Sequence, residues 1–325
     1  METPAPAASA ARSSATLAGV ACGMGAGALW GLVLLAPELV RDFSPLQMTL
    51  GRYLCYGLIA AALVAPRWRS LFAGVPRRQW WNLVWLALAG NTVYYLLLAS
   101  AVTAGGIAMT SLVIGLVPVA VTVVGSREQG AVPLRRLLPA LLLGMVGAVS
   151  IGWQSLASGG GPGGRPLFGL LCALGALVSW TAFAIGNARS LARMEHVSAH
   201  DWNLLLGLVT GMQSLLLVPL ALAAGVGEHS PQAWMRLGAV SVGVAVLASI
   251  AGNALWNRMS RLLPLTLVGQ MILFETLFAL LYGWMWERRM PAALEMVALA
   301  CVVSSVLLCV AAHRRPARVT ATRAE

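Results

Sequence analysis

Long apolar runs alternate along the chain with short segments that contain arginine, acidic residues, proline or glycine. Each run holds roughly 19 to 24 residues, about the length at which an α-helix crosses ~30 Å of hydrocarbon. The runs are rich in leucine and alanine and lack the two-residue alternation of a membrane β-barrel. The pattern predicts an all-α integral membrane protein with ten transmembrane helices. The predicted helices cover residues 17–39, 46–65, 80–101, 104–125, 135–153, 167–187, 201–224, 235–257, 263–285 and 292–312.

Composition supports a membrane solvent and excludes several chemistries. Soluble globular proteins contain about 45–50% apolar and 25% charged residues, whereas this chain of 325 residues contains 59% and 10%. The chain has no lysine, which excludes P-loop phosphate binding, Schiff-base chemistry and Ser–Lys catalysis. Its five cysteines fall within predicted helices, and its four histidines lie in loops or at the end of the last helix. We therefore expect no cofactor, no metal site and no catalytic residues.

The distribution of arginine predicts the orientation of the chain. With the N-terminus inside, the cytoplasmic segments carry 16 of the 22 arginines and the outer loops carry five. The positive-inside rule therefore predicts that both termini are cytoplasmic. Because the arginines are scattered over loops and form no stripe with aromatic residues, the net charge of +11 does not indicate a nucleic-acid partner. The expected partners are the lipid bilayer and a small-molecule substrate, with no obligatory protein partner.

The two halves of the sequence are weakly similar. Ala21–Trp30 aligns with Leu171–Trp180, and Ala89-Gly90-Asn91 is matched by Ala251-Gly252-Asn253. Five helices in each half would invert the second copy in the membrane, and inverted repeats are a basis for alternating access. The predicted organisation is a disordered cytoplasmic tail (1–16), a first five-helix repeat (17–153), a Gly-rich periplasmic linker (154–166), a second repeat (167–312) and a cytoplasmic tail (313–325).

Short motifs distributed over residues 17–312 resemble the drug/metabolite transporter superfamily, specifically its ten-helix EamA-type members. The motifs are Ala28-Leu29-Trp30-Gly31, Arg52, Pro118 ten residues before Glu128, Gly144 to Gly147, and Glu287. The chain is most similar to the bacterial aromatic amino-acid exporters, although Val117 and Glu275 depart from their pattern. The resemblance implies a secondary transporter of the bacterial inner membrane. It would export amino acids or related small amphipathic metabolites by alternating access.

Repeat-related aromatic and amide residues are candidates for binding the substrate. Trp30 and Trp180 lie near the middle of their helices, where each could offer a ring face and an indole N–H, or could simply pack between helices. Asn91 and Asn253 suit a substrate with ammonium and carboxylate groups, or could form hydrogen bonds between helices. The other candidates for substrate binding are Tyr94, Tyr95, Trp256 and Gln270.

Charged residues and one proline inside the predicted helices form a second group. Glu275 lies twelve residues into the ninth helix, where a charge costs at least about 2.5 kcal/mol. It is interpreted either as a proton-coupling group or as a structural, neutral carboxyl. Pro118 is expected to bend the fourth helix and release a backbone carbonyl near the cavity. Glu38 and Arg52 are predicted to form a structural pair at the outer mouth.

Other functions stay open at this point. The substrate could instead be a drug, nucleoside, sugar or lipid, although a sugar nucleotide would need a cation in the middle of the membrane and none is expected there. A membrane enzyme acting on lipids would need clustered acidic or histidine residues at the surface. Here the acidic residues of the loops are scattered. A membrane scaffold would need a large extramembrane surface, which the short loops do not provide.

Overall fold

A computed structural model of the chain describes residues 6–125, 134–157, 165–194, 197–225, 227–262 and 271–314. Within these ranges the backbone is almost entirely helical and contains no strand. Seven helices in the described part of the chain are long and apolar enough to cross a membrane. The predicted all-α class is therefore confirmed, whereas the count of ten crossings and the side of the termini stay predictions.

The helices overlap the predicted spans and end within a few residues of them. Two π-helical segments, Leu88–Thr92 and Ala245–Gly252, join α4 to α5 and α11 to α12. The helices are α1 (Pro6–Leu39), α2 (Pro45–Val64), α3 (Trp68–Ala73), α4 (Arg77–Ala87), α5 (Val93–Gly105), α6 (Ile107–Ile114), α7 (Val117–Gly125), α8 (Leu134–Ala157), α9 (Pro166–Arg193), α10 (Ala199–Ala223), α11 (Pro231–Val244), α12 (Asn253–Leu262), α13 (Leu273–Glu287) and α14 (Ala293–Arg314).

The ends of the chain and the linker differ from the predicted boundaries. α1 begins at Pro6, so residues 6–16 are helical where a disordered tail was expected. This segment is rich in alanine, which has the highest helix propensity, and it continues directly into the apolar part of α1. α8 extends to Ala157 and α9 begins at Pro166, which leaves 158–164 of the predicted linker outside the described residues.

The turn between α1 and α2 is specified by a local motif. The Ser44 hydroxyl accepts a hydrogen bond from the Gln47 amide at 3.3 Å, and the Ser44 amide donates to the Gln47 side chain at 2.8 Å. This capping box satisfies two backbone donors at the start of α2, and Pro45 at the first helical position has no donor to satisfy. The motif fixes where α2 begins, and with it the position of Arg52 two turns later.

Two predicted spans are interrupted near their middle. The fourth is broken at Gly115–Leu116, between α6 and α7, and Pro118 is the second residue of α7. Because proline has no amide hydrogen, the Ile114 carbonyl cannot receive the bond that a continuous helix would supply. In the ninth span, α13 begins at Leu273 after a tight turn, in which the Glu275 amide donates to the Ile272 carbonyl at 3.0 Å. Glu275 therefore lies in the first turn of a helix rather than deep inside one.

The packing of helices is reciprocal between the two halves of the chain. α2 packs along α10, and α8 packs along α14, so the second predicted span meets the seventh and the fifth meets the tenth. α1 packs on α13 and on the second π-helical segment, while α9 packs on α6, α7 and the first π-helical segment. This is the arrangement that two halves of similar fold would produce. The inverted orientation of the second half stays a prediction.

The crossing of α2 and α10 depends on two glycines at equivalent places in the halves. A methyl group built on Gly57 would lie 2.6 Å from the Gly211 Cα, and one built on Gly211 would lie 2.7 Å from the Gly57 Cα. The two backbones are therefore in direct contact. Apolar surface gives no driving force between helices in lipid, so this close approach is a main source of their attraction.

Replacing Gly57 by alanine tests this crossing. We expect Gly57→Ala to lower the free energy of unfolding by about 1–3 kcal/mol, because the methyl group must push the two backbones apart. The measurement is the apparent Tm of the purified protein in detergent. Gly243→Ala is the matched control, since a methyl group there meets no atom within 4 Å. An equal loss of stability in both variants would contradict the proposed role of the crossing.

Candidate functional site

A cluster of buried aromatic residues lies between the two halves of the bundle. Its members Tyr53, Tyr94 and Tyr95 are at most 7% exposed and come from α2 and α5. Trp30 of α1 and Trp180 of α9 are half-buried and pack against the same core. The structure therefore brings together four of the aromatic residues predicted from the sequence. We call the five residues Trp30, Tyr53, Tyr94, Tyr95 and Trp180 the central aromatic cluster.

Trp30 is fixed in position by the second π-helical segment. Its indole N–H donates to the Ala248 carbonyl at 3.1 Å, and its ring lies 5.0 Å from the ring of Trp256, tilted by 36°. Gly252 makes room for this arrangement, because a methyl group there would lie 2.7 Å from the indole nitrogen. The N–H is thus bonded to the protein, contrary to the prediction that it is offered to a substrate. Only the ring face of Trp30 is available for such a contact.

The surroundings of Trp180, which corresponds to Trp30 in the other half, are different. The Trp180 ring lies 6.0 Å from Phe183, and a methyl group on Gly90 would collide with the Phe183 ring. The Ser179 hydroxyl donates to the Ala89 carbonyl at 2.7 Å. Within the described residues, the Trp180 N–H has no hydrogen-bond partner. Both Ala-Gly-Asn motifs therefore seat an aromatic ring from a facing helix, but only Trp180 keeps its donor unused.

The two motif asparagines form hydrogen bonds with α10. The Asn91 amide donates to the Thr210 hydroxyl at 2.8 Å. The Asn253 amide donates to the Asn203 side chain at 3.1 Å and to the Ser249 carbonyl at 2.8 Å. Both hydrogens of the Asn253 amide are thus used within the protein. These contacts match the structural alternative for the asparagines, in which their amides join helices.

Glu275 lies beside the backbone of α1. Gly27 permits this approach, because a methyl group there would lie 2.9 Å from the Glu275 amide nitrogen. The side chain of Glu275 is half-buried, and in the described part of the chain it has neither an ion pair nor a hydrogen bond. It interacts electrostatically with Arg52 and with Tyr94. Gln270, which was expected to share its face, lies outside the described residues.

Arg52 lies inside the bundle and not at its mouth. Its guanidinium carbon lies 4.3 Å from the ring centre of Tyr95 and 5.0 Å from that of Tyr53. The residue is 9% exposed, and its Nε and Nη1 atoms have no hydrogen-bond partner in the part of the chain that the structure describes. The side chain is therefore buried by the protein, whereas its depth in the membrane stays a prediction. Tyr53, which the sequence analysis did not select, is the residue immediately after Arg52.

The predicted pair between Glu38 and Arg52 is also wrong. Glu38 pairs with Arg41 instead, one turn further along at the end of α1. The i, i+3 spacing of these two residues is the local signal that could have indicated this partner from sequence. Arg236 pairs with Asp42 across the adjacent loop. The acidic groups nearest to the start of α2 are thus already matched by surface arginines.

Arginine is also paired at the end of α13. The Arg289 guanidinium donates to both carboxylate oxygens of Glu295, at 2.7 and 2.5 Å, and also bonds to Glu287. The bond to Glu295 raises the pKa of Arg289 above its ordinary value, so the pair stays charged throughout the physiological range. The Trp284 N–H donates to the same Glu295 carboxylate at 3.2 Å. The cluster fixes the turn between α13 and α14.

A small recess opens beside Arg52. It has a volume of about 10 Å³, room for about one water molecule, and lies between the end of α1, the first half of α2, α5 and α11. Three residues of its wall have side chains that can form hydrogen bonds: Arg52, Tyr95 and Ser241. The wall is formed by Val40, Met48, Arg52, Tyr95, Leu237, Val240, Ser241 and Val244.

Polar residues of α10 support the site and were missed from sequence. Besides Asn203 and Thr210, Gln213 accepts a hydrogen bond from the Thr92 hydroxyl and donates to the Val84 carbonyl, both at 2.8 Å. These α10 residues are spaced seven and three positions apart, so they lie on one face of a helix. That periodic polar face in an otherwise apolar helix was the available signal.

Comparison with known proteins gives consistent matches. The model of the family described as EamA-like transporter family matches residues 17–153, which is the first predicted repeat. The inner membrane protein YtfF of Escherichia coli (strain K12) is 30% identical over 309 residues, which cover 91% of this chain and 96% of that protein. A solved crystal structure, titled only as a crystal structure of a protein, matches with a TM-score of 0.59 and 20% identity. It covers 93% of this chain and 99% of its own, and it supports the fold alone.

Substitution of the two tryptophans distinguishes their roles. Trp30→Phe keeps an aromatic ring but leaves the Ala248 carbonyl without its donor, so we expect a loss of about 1 kcal/mol in stability. Trp180→Phe removes an N–H with no partner among the described residues and is expected to cost less. The apparent Tm of each variant in detergent measures the difference. A larger loss for Trp180→Phe would show that the hydrogen bond of Trp30 does not stabilise the fold.

Proposed function

The chain belongs to the EamA-like transporter family, and we propose that it exports amino acids or related small amphipathic metabolites. Membrane transport of small molecules follows from the family, and the name of the Escherichia coli relative agrees with a multi-pass protein of the cytoplasmic membrane. The substrate class and the direction of transport are the parts that we propose. The substrate class rests on the chemistry of the residues between the two halves, and the direction rests on the resemblance to amino-acid exporters.

The observation that carries the proposal is a carboxylate that has no ion pair or hydrogen bond among the described residues. Glu275 is half-buried at the start of α13, next to α1 and in electrostatic contact with Tyr94. A charged carboxylate inside a membrane protein has to be protonated, paired or in contact with water. The ammonium group of an amphipathic substrate could serve as its partner, while Trp30 and Trp256 offer ring faces to the apolar part. Such a site suits a molecule with a cationic end and an apolar body.

Interrupted helices support transport by alternating access. The breaks at Gly115–Leu116 and Ile272 and the two π-helical segments occur in the third, fourth, eighth and ninth predicted spans. In carriers, interrupted helices occur where a substrate binds near the middle of the membrane. π-helical segments likewise occur often at functional sites. We infer that the two halves move against each other about this region, and no covalent chemistry is needed.

A counterflow experiment tests the proposed substrate class. Purified protein in liposomes loaded with unlabelled compound is expected to accumulate labelled amino acids, most strongly those with apolar or aromatic side chains. Nucleosides and sugars serve as the comparison substrates. Protein-free liposomes and the variant Trp81→Ala, at a side chain that is 71% exposed, are the controls. Exchange of nucleosides or sugars with no exchange of amino acids would overturn the proposal.

Substitution of Glu275 tests whether transport is coupled to protons. If Glu275 carries the coupling proton, Glu275→Gln should remove the accumulation that a pH gradient drives. Counterflow at equal pH should remain, because it needs only reorientation of the loaded carrier. Glu228→Gln is the control, since Glu228 is an exposed loop residue. A Glu275→Gln protein with the wild-type response to the gradient over the full pH range would exclude coupling through this residue.

A further inference from the structure

We propose that Arg52 binds the carboxylate group of the transported molecule and selects α-amino carboxylates over the corresponding amines. This inference rests on the proposed function and specifies the chemistry of its substrate. Its basis is a buried cation whose Nε and Nη1 donors have no partner among the described residues, located at a recess between α2, α5 and α11. Neither the family nor the relatives described above assigns this role.

The Arg52 side chain has two buried donors that suit an anionic ligand. Arginine stays protonated in proteins, so its charge cannot be removed by burial. The side chain is more than nine-tenths buried, yet Nε and Nη1 lack hydrogen-bond partners within the described ranges of the chain. Buried polar groups in folded proteins are almost always hydrogen-bonded, and an unpaired charged donor carries a large desolvation cost. An anionic ligand at this position would remove that cost.

The protein's own carboxylates do not fill this role. Glu38 pairs with Arg41 and Asp42 pairs with Arg236, so the acidic groups near the start of α2 are used elsewhere. Glu275 interacts electrostatically with Arg52 but does not form an ion pair with it among the described residues. The guanidinium is held by the ring faces of Tyr53 and Tyr95, because cations are attracted to the faces of aromatic side chains, and by a side-chain hydrogen bond with Tyr95. These contacts leave Nε and Nη1 without a partner among the described residues and thus available to a ligand.

The recess has the composition expected for a carboxylate attached to a small apolar molecule. The Ser241 hydroxyl is a second donor in its wall, and Gly51 provides the room, since a methyl group there would press against that hydroxyl. The remaining wall, apart from Tyr95, is aliphatic or methionine. Guanidinium groups bind carboxylates with charge-assisted hydrogen bonds, which are about twice as strong as neutral ones. With Glu275 available for the ammonium end, the guanidinium and the carboxyl would receive the two ends of a zwitterion.

The test compares each amino acid with the amine that lacks its carboxylate. The pairs are leucine with isoamylamine and phenylalanine with 2-phenylethylamine, each measured by counterflow into proteoliposomes. Wild-type protein should prefer the amino acid. In Arg52→Gln the KM for the amino acid should rise about 10- to 100-fold, the change expected when a hydrogen bond to a charged group is lost, while the amine is unaffected. Arg52→Lys should keep part of the preference because it keeps the charge.

Arg236→Gln is the matched control, because it removes an arginine that is paired with Asp42 and about half exposed. It should leave the ratio of acid to amine unchanged. If wild-type protein exchanges amino acids and folded Arg52→Gln keeps the wild-type ratio, this inference is overturned while the proposed function stands. If wild-type protein exchanges no amino acid, the proposed function fails and the inference fails with it.

A measurement on wild-type protein decides the question if the Arg52 variants do not fold. Leucine should raise the apparent Tm of the wild-type protein in detergent, since a ligand that binds only the folded state stabilises it. Isoamylamine at the same concentration should raise it less. Equal stabilisation by the two compounds would overturn the role of Arg52.

Discussion

The structure depends on one constraint of the bilayer: each polar backbone group inside it needs a partner within the protein. The π-helical segments interrupt the regular bonding of their helices, and side chains from other elements restore it. Trp30 donates to the Ala248 carbonyl and Ser179 donates to the Ala89 carbonyl. Asn253, the first residue of α12, donates to the Ser249 carbonyl of the segment before it. The residues that first suggest a binding site thus also permit the helices to be interrupted there. The interrupted helices and the side chains that bond to their carbonyls therefore have to be considered together, because the interruptions would not be stable without those bonds.

Close packing is the second requirement, and it explains why the glycines lie where they do. Helices in lipid gain little from burying apolar surface, so they associate through backbone proximity and hydrogen bonds. Gly57 and Gly211 bring α2 and α10 into contact at equivalent places of the two halves, and Gly27 brings α1 to the first turn of α13. The latter contact is what places Glu275 beside α1 and near the aromatic rings. Packing between helices therefore positions the residues of the candidate site, which lie where glycines allow two helix backbones to come close together.

Sequence patterns predict the helices well because the length of an apolar run is set by the thickness of the membrane. They predict side-chain partners less well, since partners depend on how helices rotate against each other. Arg52 and Glu38 lie at adjacent ends of one hairpin, which suggested a pair, but the i, i+3 neighbour Arg41 is available to Glu38 without any tertiary contact. Arg52 instead reaches Tyr95 of another helix, a contact that spacing along the chain could not reveal. The π-helical segments have no sequence signature beyond the repeated Ala-Gly-Asn motif.

The arginines near the surface are paired with carboxylates, whereas Arg52 and Glu275 do not pair with each other, and this difference bears on function. Arg41 and Arg289 lie just beyond helix ends and Arg236 lies in the second turn of α11, where water could solvate them, and yet each is paired with a carboxylate. The pair of Arg236 with Asp42 is exposed and contributes little to stability. Glu38 and Glu295 are buried, so their arginine partners offset the cost of burying a carboxylate. Arg52 and Glu275 lie inside the bundle, where pairing would bring the greatest relief, and they remain apart. A buried arginine and a half-buried carboxyl that do not pair with each other are not explained by stability alone, because a pair of apolar residues would be less costly. A molecule that carries both charges of opposite sign would satisfy the two residues at once, and its departure would leave them unpaired again, as a carrier requires.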